Sequence, residues 1–96
     1  MNEKALKIRV RGKVQGVGYR RYAQRKASEC QIFGWARNLF NGEVEILALG
    51  SAASLENYLK LLRQGPPFGH VEEVTTKQAE SEKISDFTIL EDGASE

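Results

Sequence analysis

Leu6, Ile8 and Val10 alternate with Lys7, Arg9 and Arg11. A period of two predicts a strand with one apolar and one basic face. Gly12, Gly16 and Gly18 follow too closely for a regular element and predict a loop. From Tyr19 to Cys30 the spacing turns helical, with Tyr19, Tyr22, Ala23, Ala27 and Cys30 on one stripe and Arg21, Arg25 and Glu29 off it. Ile32 to Asn38 and Gly42 to Leu49 read as two more strands, joined through Leu39-Phe40-Asn41-Gly42, where Asn41-Gly42 supplies the turn chemistry. Val44, Ile46 and Ala48 face the core in this pattern. Ser51 is placed as the N-cap of a second helix carrying Leu55, Tyr58, Leu59 and Leu62 on one side. Gly65, Pro66 and Pro67 stop it. Val71 to Lys77 reads as a fourth strand, residues 79–85 as a polar loop, and Phe87 to Ile89 as a short fifth strand. The last four or five residues are expected to fray.

The order is β-α-β-β-α-β plus a short strand. Two helices on one face of an antiparallel sheet give an α+β fold, the ferredoxin-like split β-α-β sandwich, with the other sheet face open. The 96 residues predict one domain, 1–96, with its core at about 5–90. Hydrophobic residues are 41% and charged residues 28%, which excludes a disordered tail or a coiled-coil rod. No apolar run reaches the ~18 residues of a membrane helix, and the N-terminus carries no apolar leader. A lone cysteine, Cys30, leaves no internal disulfide. A cytoplasmic monomer without a membrane partner is expected.

The net charge of +1 conceals a division. Residues 1–38 hold ten basic and two acidic side chains, whereas residues 39–96 hold four basic and eleven acidic. Such a split points either to an anion-binding half or to a fold that brings the halves together and neutralises them.

Gly12-Lys-Val-Gln-Gly-Val-Gly-Tyr-Arg20 carries the most chemistry. A glycine-rich turn between strand and helix exposes consecutive backbone N–H groups, and the helix start adds unpaired donors and partial positive charge. That combination cradles a small tetrahedral anion, and the Arg20 fork can grip two of its oxygens. It is neither a Walker loop, which ends in Gly-Lys-Ser/Thr, nor a dinucleotide fingerprint, because Arg21 stands at the third glycine. A plain tight turn beside a surface arginine fits the same composition. Asn38 ends the second strand just before a turn. Its amide both donates and accepts, which suits holding a water; capping the turn with its own side chain is the other reading.

One histidine and one cysteine cannot form a His/Cys metal site, and no serine has a histidine near it in sequence to act as base. His70 reads as a surface strand residue and Cys30 as a small core residue. Chemistry in this chain must therefore work by positioning and electrostatics, with no cofactor or metal.

The sequence resembles the acylphosphatases. Gly12-Lys-Val-Gln-Gly-Val-Gly-Tyr-Arg20 is similar to their first signature, and Gly34-Trp-Ala-Arg-Asn38, followed by Gly42, Val44 and Gly50, to their second. The resemblance covers roughly residues 5–90. It implies hydrolysis of acyl phosphates to a carboxylate and inorganic phosphate. It implies phosphate binding by Arg20 and by the N–H groups of Gln15, Gly16, Val17, Gly18, Tyr19 and Arg20, with Asn38 orienting the attacking water. Departures are Gln31 where a helix-ending glycine is usual, Phe33 where a small polar residue is common, and Leu39-Phe40-Asn41 in the turn beside Asn38.

Two other classes share the fold. A nucleic-acid-binding sheet would use Lys7, Arg9 and Arg11 with Phe33, Trp35 and Arg37, but such sheets stack bases on aromatics in the first and third strands, which carry none here. Glu43 and Glu45 also fall opposite the basic strand, which predicts cross-strand ion pairs and no nucleic-acid partner. An anion-sensing domain without turnover is the third class.

Overall fold

The computed structural model describes residues 3–93. Seven elements follow in order: β1 (Lys4–Lys13), α1 (Tyr19–Cys30), β2 (Phe33–Asn38), β3 (Val44–Gly50), α2 (Ala52–Gln64), β4 (His70–Gln78) and β5 (Phe87–Ile89). Every element read from the sequence is present. The largest boundary changes are in β1, which runs through Lys13 with a bulge between Arg11 and Gly12 where it meets β4, and in β3, which starts at Val44.

The strands form one sheet in the order β4-β1-β3-β2-β5. The β1–β3, β1–β4 and β2–β3 pairs are antiparallel, as expected, while β5 lies parallel to β2. The sheet is thus mixed. After β4 the chain crosses to the opposite edge and runs back, so β5 shares the direction of β1 and β2. All three end at the same end of the sheet.

Alternation sorts the side chains as the pattern requires. Ile8, Val10, Val44, Ile46 and Ala48 meet Tyr19, Tyr22, Ala23 and Ala27 of α1 and Leu55, Tyr58 and Leu62 of α2 in the main core. Full burial of the valine, leucine and isoleucine side chains among them stabilises by about 1.5–3 kcal/mol each. Tyrosine hydroxyls lock the helices together. Tyr19 donates to the Leu62 carbonyl at 2.7 Å, Tyr22 to Leu61 at 2.6 Å and Tyr58 to Ala23 at 2.8 Å. The Ser51 hydroxyl accepts from the Ser54 N–H and caps α2 as predicted.

The face away from the helices is not left open. Residues 79–86 cross it between the two edges. The Ala79 N–H donates to the Ala5 carbonyl at one edge, and the Gly34 N–H to the Asp86 carbonyl at the other. Ala79 and Ile84 pack on a second apolar cluster of Ala5, Leu47 and Leu49, against Trp35. The predicted polar loop thus carries an apolar anchor, because Leu47 and Leu49 need a cover. The rest of this face holds the expected ion pairs. Glu45, 5% exposed, takes Arg37 at 2.7 Å, Arg9 at 3.6 Å and Lys7 at 4.0 Å, and Arg9 also reaches Glu43 at 3.3 Å. The opposed charges of the two halves meet here.

The expected fraying falls on two sets of residues. Asp92 and Gly93 continue beside β2: Leu39 bridges Gly93, the Gly93 N–H donates to the Asn38 carbonyl, and the Phe40 N–H to the Gly93 carbonyl. Residues 94–96 lie outside the described residues.

Candidate active site

The ends of β1, β2 and β5 and the start of α1 surround a cleft of about 400 Å³, lined by Val14, Gly16, Gly18, Tyr19, Arg20, Arg21, Asn38 and Ile89. Residues 14–18 leave β1 and turn into α1. Gly16 has φ 73° and Gly18, the N-cap of α1, φ 79°. A Cβ at either would meet nothing within 4 Å, so glycine is needed there for the left-handed backbone and not for space. Gly16 and Val17 make no hydrogen bond among the described residues, which leaves their N–H groups for a ligand. Gly18 offers no side-chain cap, and the first turn of α1 holds no acidic residue. The positive end of the helix dipole is left uncompensated by its own sequence.

Each wall is anchored. Tyr19 is buried, and burial pushes its phenol well above the usual tyrosine range. The hydrogen bond to Leu62 thereby ties the start of α1 to α2. Gln15 turns its side chain toward the β2–β3 connection, where Nε2 donates to the carbonyls of Leu39 at 2.8 Å and Glu43 at 2.9 Å. The loop is thus bolted to the β2–β3 turn that follows Asn38. Gln15 was expected to contribute only its backbone; its side chain adds this bridge.

Arg20 lies in the first turn of α1. Its Nη1 sits 3.6 Å from Asp92 Oδ1 and 3.5 Å from the Leu90 carbonyl. The guanidinium is therefore held at the cleft by the segment after β5. Neither contact was legible in the sequence, because both depend on β5 running parallel to β2.

Asn38 ends β2 with 9% of its surface exposed, and its buried Oδ1 has no hydrogen-bond partner. A buried amide oxygen without a partner is costly, at about 1–3 kcal/mol. It does not cap the turn. Asn41 does so: its Oδ1 accepts from the Glu43 N–H at 3.0 Å, and its Nδ2 donates to Glu43 Oε1 at 3.2 Å. Of the two readings of Asn38, the turn cap belongs to its neighbour.

The two segments singled out in the sequence thus meet at one cleft. Gly16, Gly18, Tyr19, Arg20 and Asn38 line it, Gln15 and Val17 do not, and sequence reasoning missed Val14, Arg21 and Ile89 in its lining. Arg21 was visible as an off-stripe arginine beside Arg20, whereas Ile89 gave no signal before β5 was placed. His70 is exposed on β4, and Cys30 packs half-buried on the core. Burial raises the Cys30 thiol above its usual range. Neither residue lines the cleft.

A family model described as acylphosphatase matches residues 6–89. An acylphosphatase of Burkholderia mallei is 45% identical over 76 residues, 79% of this chain and 78% of that relative. One of Methylococcus capsulatus is 41% identical over 90 residues, 93% of this chain and 98% of that relative. The solved structure of an acylphosphatase from Coxiella burnetii superposes with a TM-score of 0.88 at 38% identity, covering 93% of this chain and 94% of that one. Sequence and fold agree along nearly the whole chain: it belongs to the acylphosphatase family.

Proposed function

We propose that the chain hydrolyses acyl phosphates to a carboxylate and inorganic phosphate in the cleft at the start of α1. The phosphoryl group sits on the N–H groups of residues 15–20 and in the fork of Arg20. Asn38 holds the attacking water in line. One observation carries the assignment of roles: Asn38, whose buried Oδ1 has no hydrogen-bond partner, lines the same cleft as the glycine-rich loop.

The chemistry asks for little more. The leaving group is a carboxylate, so no strong general acid is needed. Phosphoryl transfer to water depends on alignment and on neutralising the equatorial oxygens. Loop amides and a guanidinium supply that charge without reorganising during the reaction. Asn38 Oδ1 accepts a hydrogen bond from the water and so aims a lone pair of that water at phosphorus. No helix among the described residues is long and apolar enough to cross a membrane. We take the enzyme to act as a single-domain cytosolic monomer on a small-molecule substrate, without metal or cofactor.

The test is phosphate release from benzoyl phosphate in the presence of a chelator, with wild type, Arg20→Gln and Asn38→Ala side by side. Fast wild-type turnover that falls about 10²–10³-fold in each variant supports the roles. Over half the activity retained by either variant overturns that residue's role. A wild type no faster than buffer overturns the activity.

A further inference from the structure

Helix dipoles favour acidic side chains in the first turn and disfavour basic ones. The first turn of α1 contains no acid, and its first three residues are Tyr19, Arg20 and Arg21. Two guanidinium groups thus crowd the positive end of one helix. The crowding continues outward, because Arg25 stands four residues beyond Arg21, a spacing at which like charges repel.

The two arginines differ in their surroundings. Arg20 has the Asp92 carboxylate and the Leu90 carbonyl. Arg21 is exposed, lines the same cleft, and makes no ion pair, hydrogen bond or ring contact among the described residues. Asn38, nine-tenths buried with Oδ1 unpartnered, lines that cleft as well and marks it as a place for a ligand.

We propose that Arg21 is a specificity-determining residue that selects acyl phosphates whose acyl part bears a second anionic group, a carboxylate or a phosphate. It rests on the assignment of the cleft as the acyl-phosphate site. The phosphoryl group being transferred is engaged by the loop amides and Arg20. Arg21 adds a second fork at the same cleft, free to meet a second anion. A neutral acyl group gives Arg21 nothing to bind, whereas a carboxylate on the acyl part forms a charge-assisted hydrogen bond.

Benzoyl phosphate and 3-carboxybenzoyl phosphate share a rigid ring and differ by one carboxylate, so their kcat/KM ratio isolates the effect. Wild type should prefer the carboxylated substrate. Arg21→Gln should lower the ratio about three- to tenfold, with the change in KM and not in kcat, as expected for a partly exposed charged contact. Arg21→Lys should keep part of the preference, and raising the salt to about 0.5 M should narrow it in wild type. Arg21 is exposed and without a partner, so these variants should fold; circular dichroism checks that directly. A ratio unchanged in Arg21→Gln, or an equal loss on both substrates, overturns the proposal. Wild type inert toward both substrates would instead remove the activity on which the proposal depends.

Discussion

Asn38→Ala separates a catalytic asparagine from a structural one by giving stability and activity opposite fates. Truncation leaves the backbone of residue 38 intact, including its pairing with Val44 and its acceptance of the Gly93 N–H. It breaks no side-chain acceptor bond, because Oδ1 has none. Removing a partnerless buried oxygen relieves up to about 1–3 kcal/mol. Losing the contacts of the amide group costs about 1–2 kcal/mol at a small, nearly buried site. The two terms nearly cancel, and stability should change by less than about 1 kcal/mol. Turnover should fall about 10²–10³-fold, equivalent to about 2.7–4 kcal/mol in the barrier.

Urea midpoints with an unchanged m-value measure the first quantity, and kcat with benzoyl phosphate the second. Destabilisation beyond about 2 kcal/mol would mean that Asn38 braces the β2–β3 turn after all. Asn38→Asp sharpens the contrast. It keeps the shape but sets a carboxylate against a dianionic phosphate, so activity should fall at least as far. A fully active Asp variant would refute an electrostatic role for the amide.

Gln31 ends α1 with φ 60°, the one non-glycine residue with positive φ among the described residues, and its N–H already bonds back to Ser28, so Gln31→Gly should raise stability by about 0.5–1 kcal/mol, read as a melting-temperature gain of about 2–8 °C. Gly34 has φ 143° and a Cβ there would strike the Leu47 carbonyl oxygen, so Gly34→Ala should cost more than about 3 kcal/mol or prevent folding, seen as loss of the cooperative urea transition. Burial raises the Tyr19 and Tyr58 phenols, which keep their protons in the fold while unfolded tyrosines ionise from about pH 10. The stability they contribute is complete below about pH 10 and is lost as pH rises further, so phenolate absorbance from them should appear together with loss of the far-ultraviolet signal; their independent ionisation in the folded protein would contradict this.

The elements were legible because each segment's period agrees with its place: period two in the strands, a helical stripe in α1 and α2, and glycine or proline at the stops. Arg20, Asn38 and the loop could be singled out because their chemistry is local: consecutive glycines before a helix, and a polar residue at a strand end. What escaped the sequence is non-local. Ile84 sits among polar neighbours, and only the route from β4 to the far edge shows that it covers Leu47 and Leu49. Gln15 gave no sign that its side chain would span to Leu39 and Glu43. Leu90 and Asp92 lie 70 and more residues from Arg20 in the chain, and no periodicity links them.

The direction of β5 decides whether that last link exists. Because β5 is parallel to β2, its register advances with β2: Gly34 pairs with Phe87 and Ala36 with Ile89, and the chain goes on to bring Gly93 beside Leu39. The end of β5 therefore arrives where β2 ends in Asn38, and Leu90 and Asp92 reach Arg20. An antiparallel β5 would bring its start to that place, and the polar crossing segment would meet the cleft in its stead. Four antiparallel strands and two helices bury the main core without this choice. The parallel edge adds little to that core, with Phe87 alone packing on it from β5. Its larger effect is to close one side of the cleft and to fix the Arg20 guanidinium there. In this chain the shortest strand contributes less to the stability of the fold than to the geometry of the site.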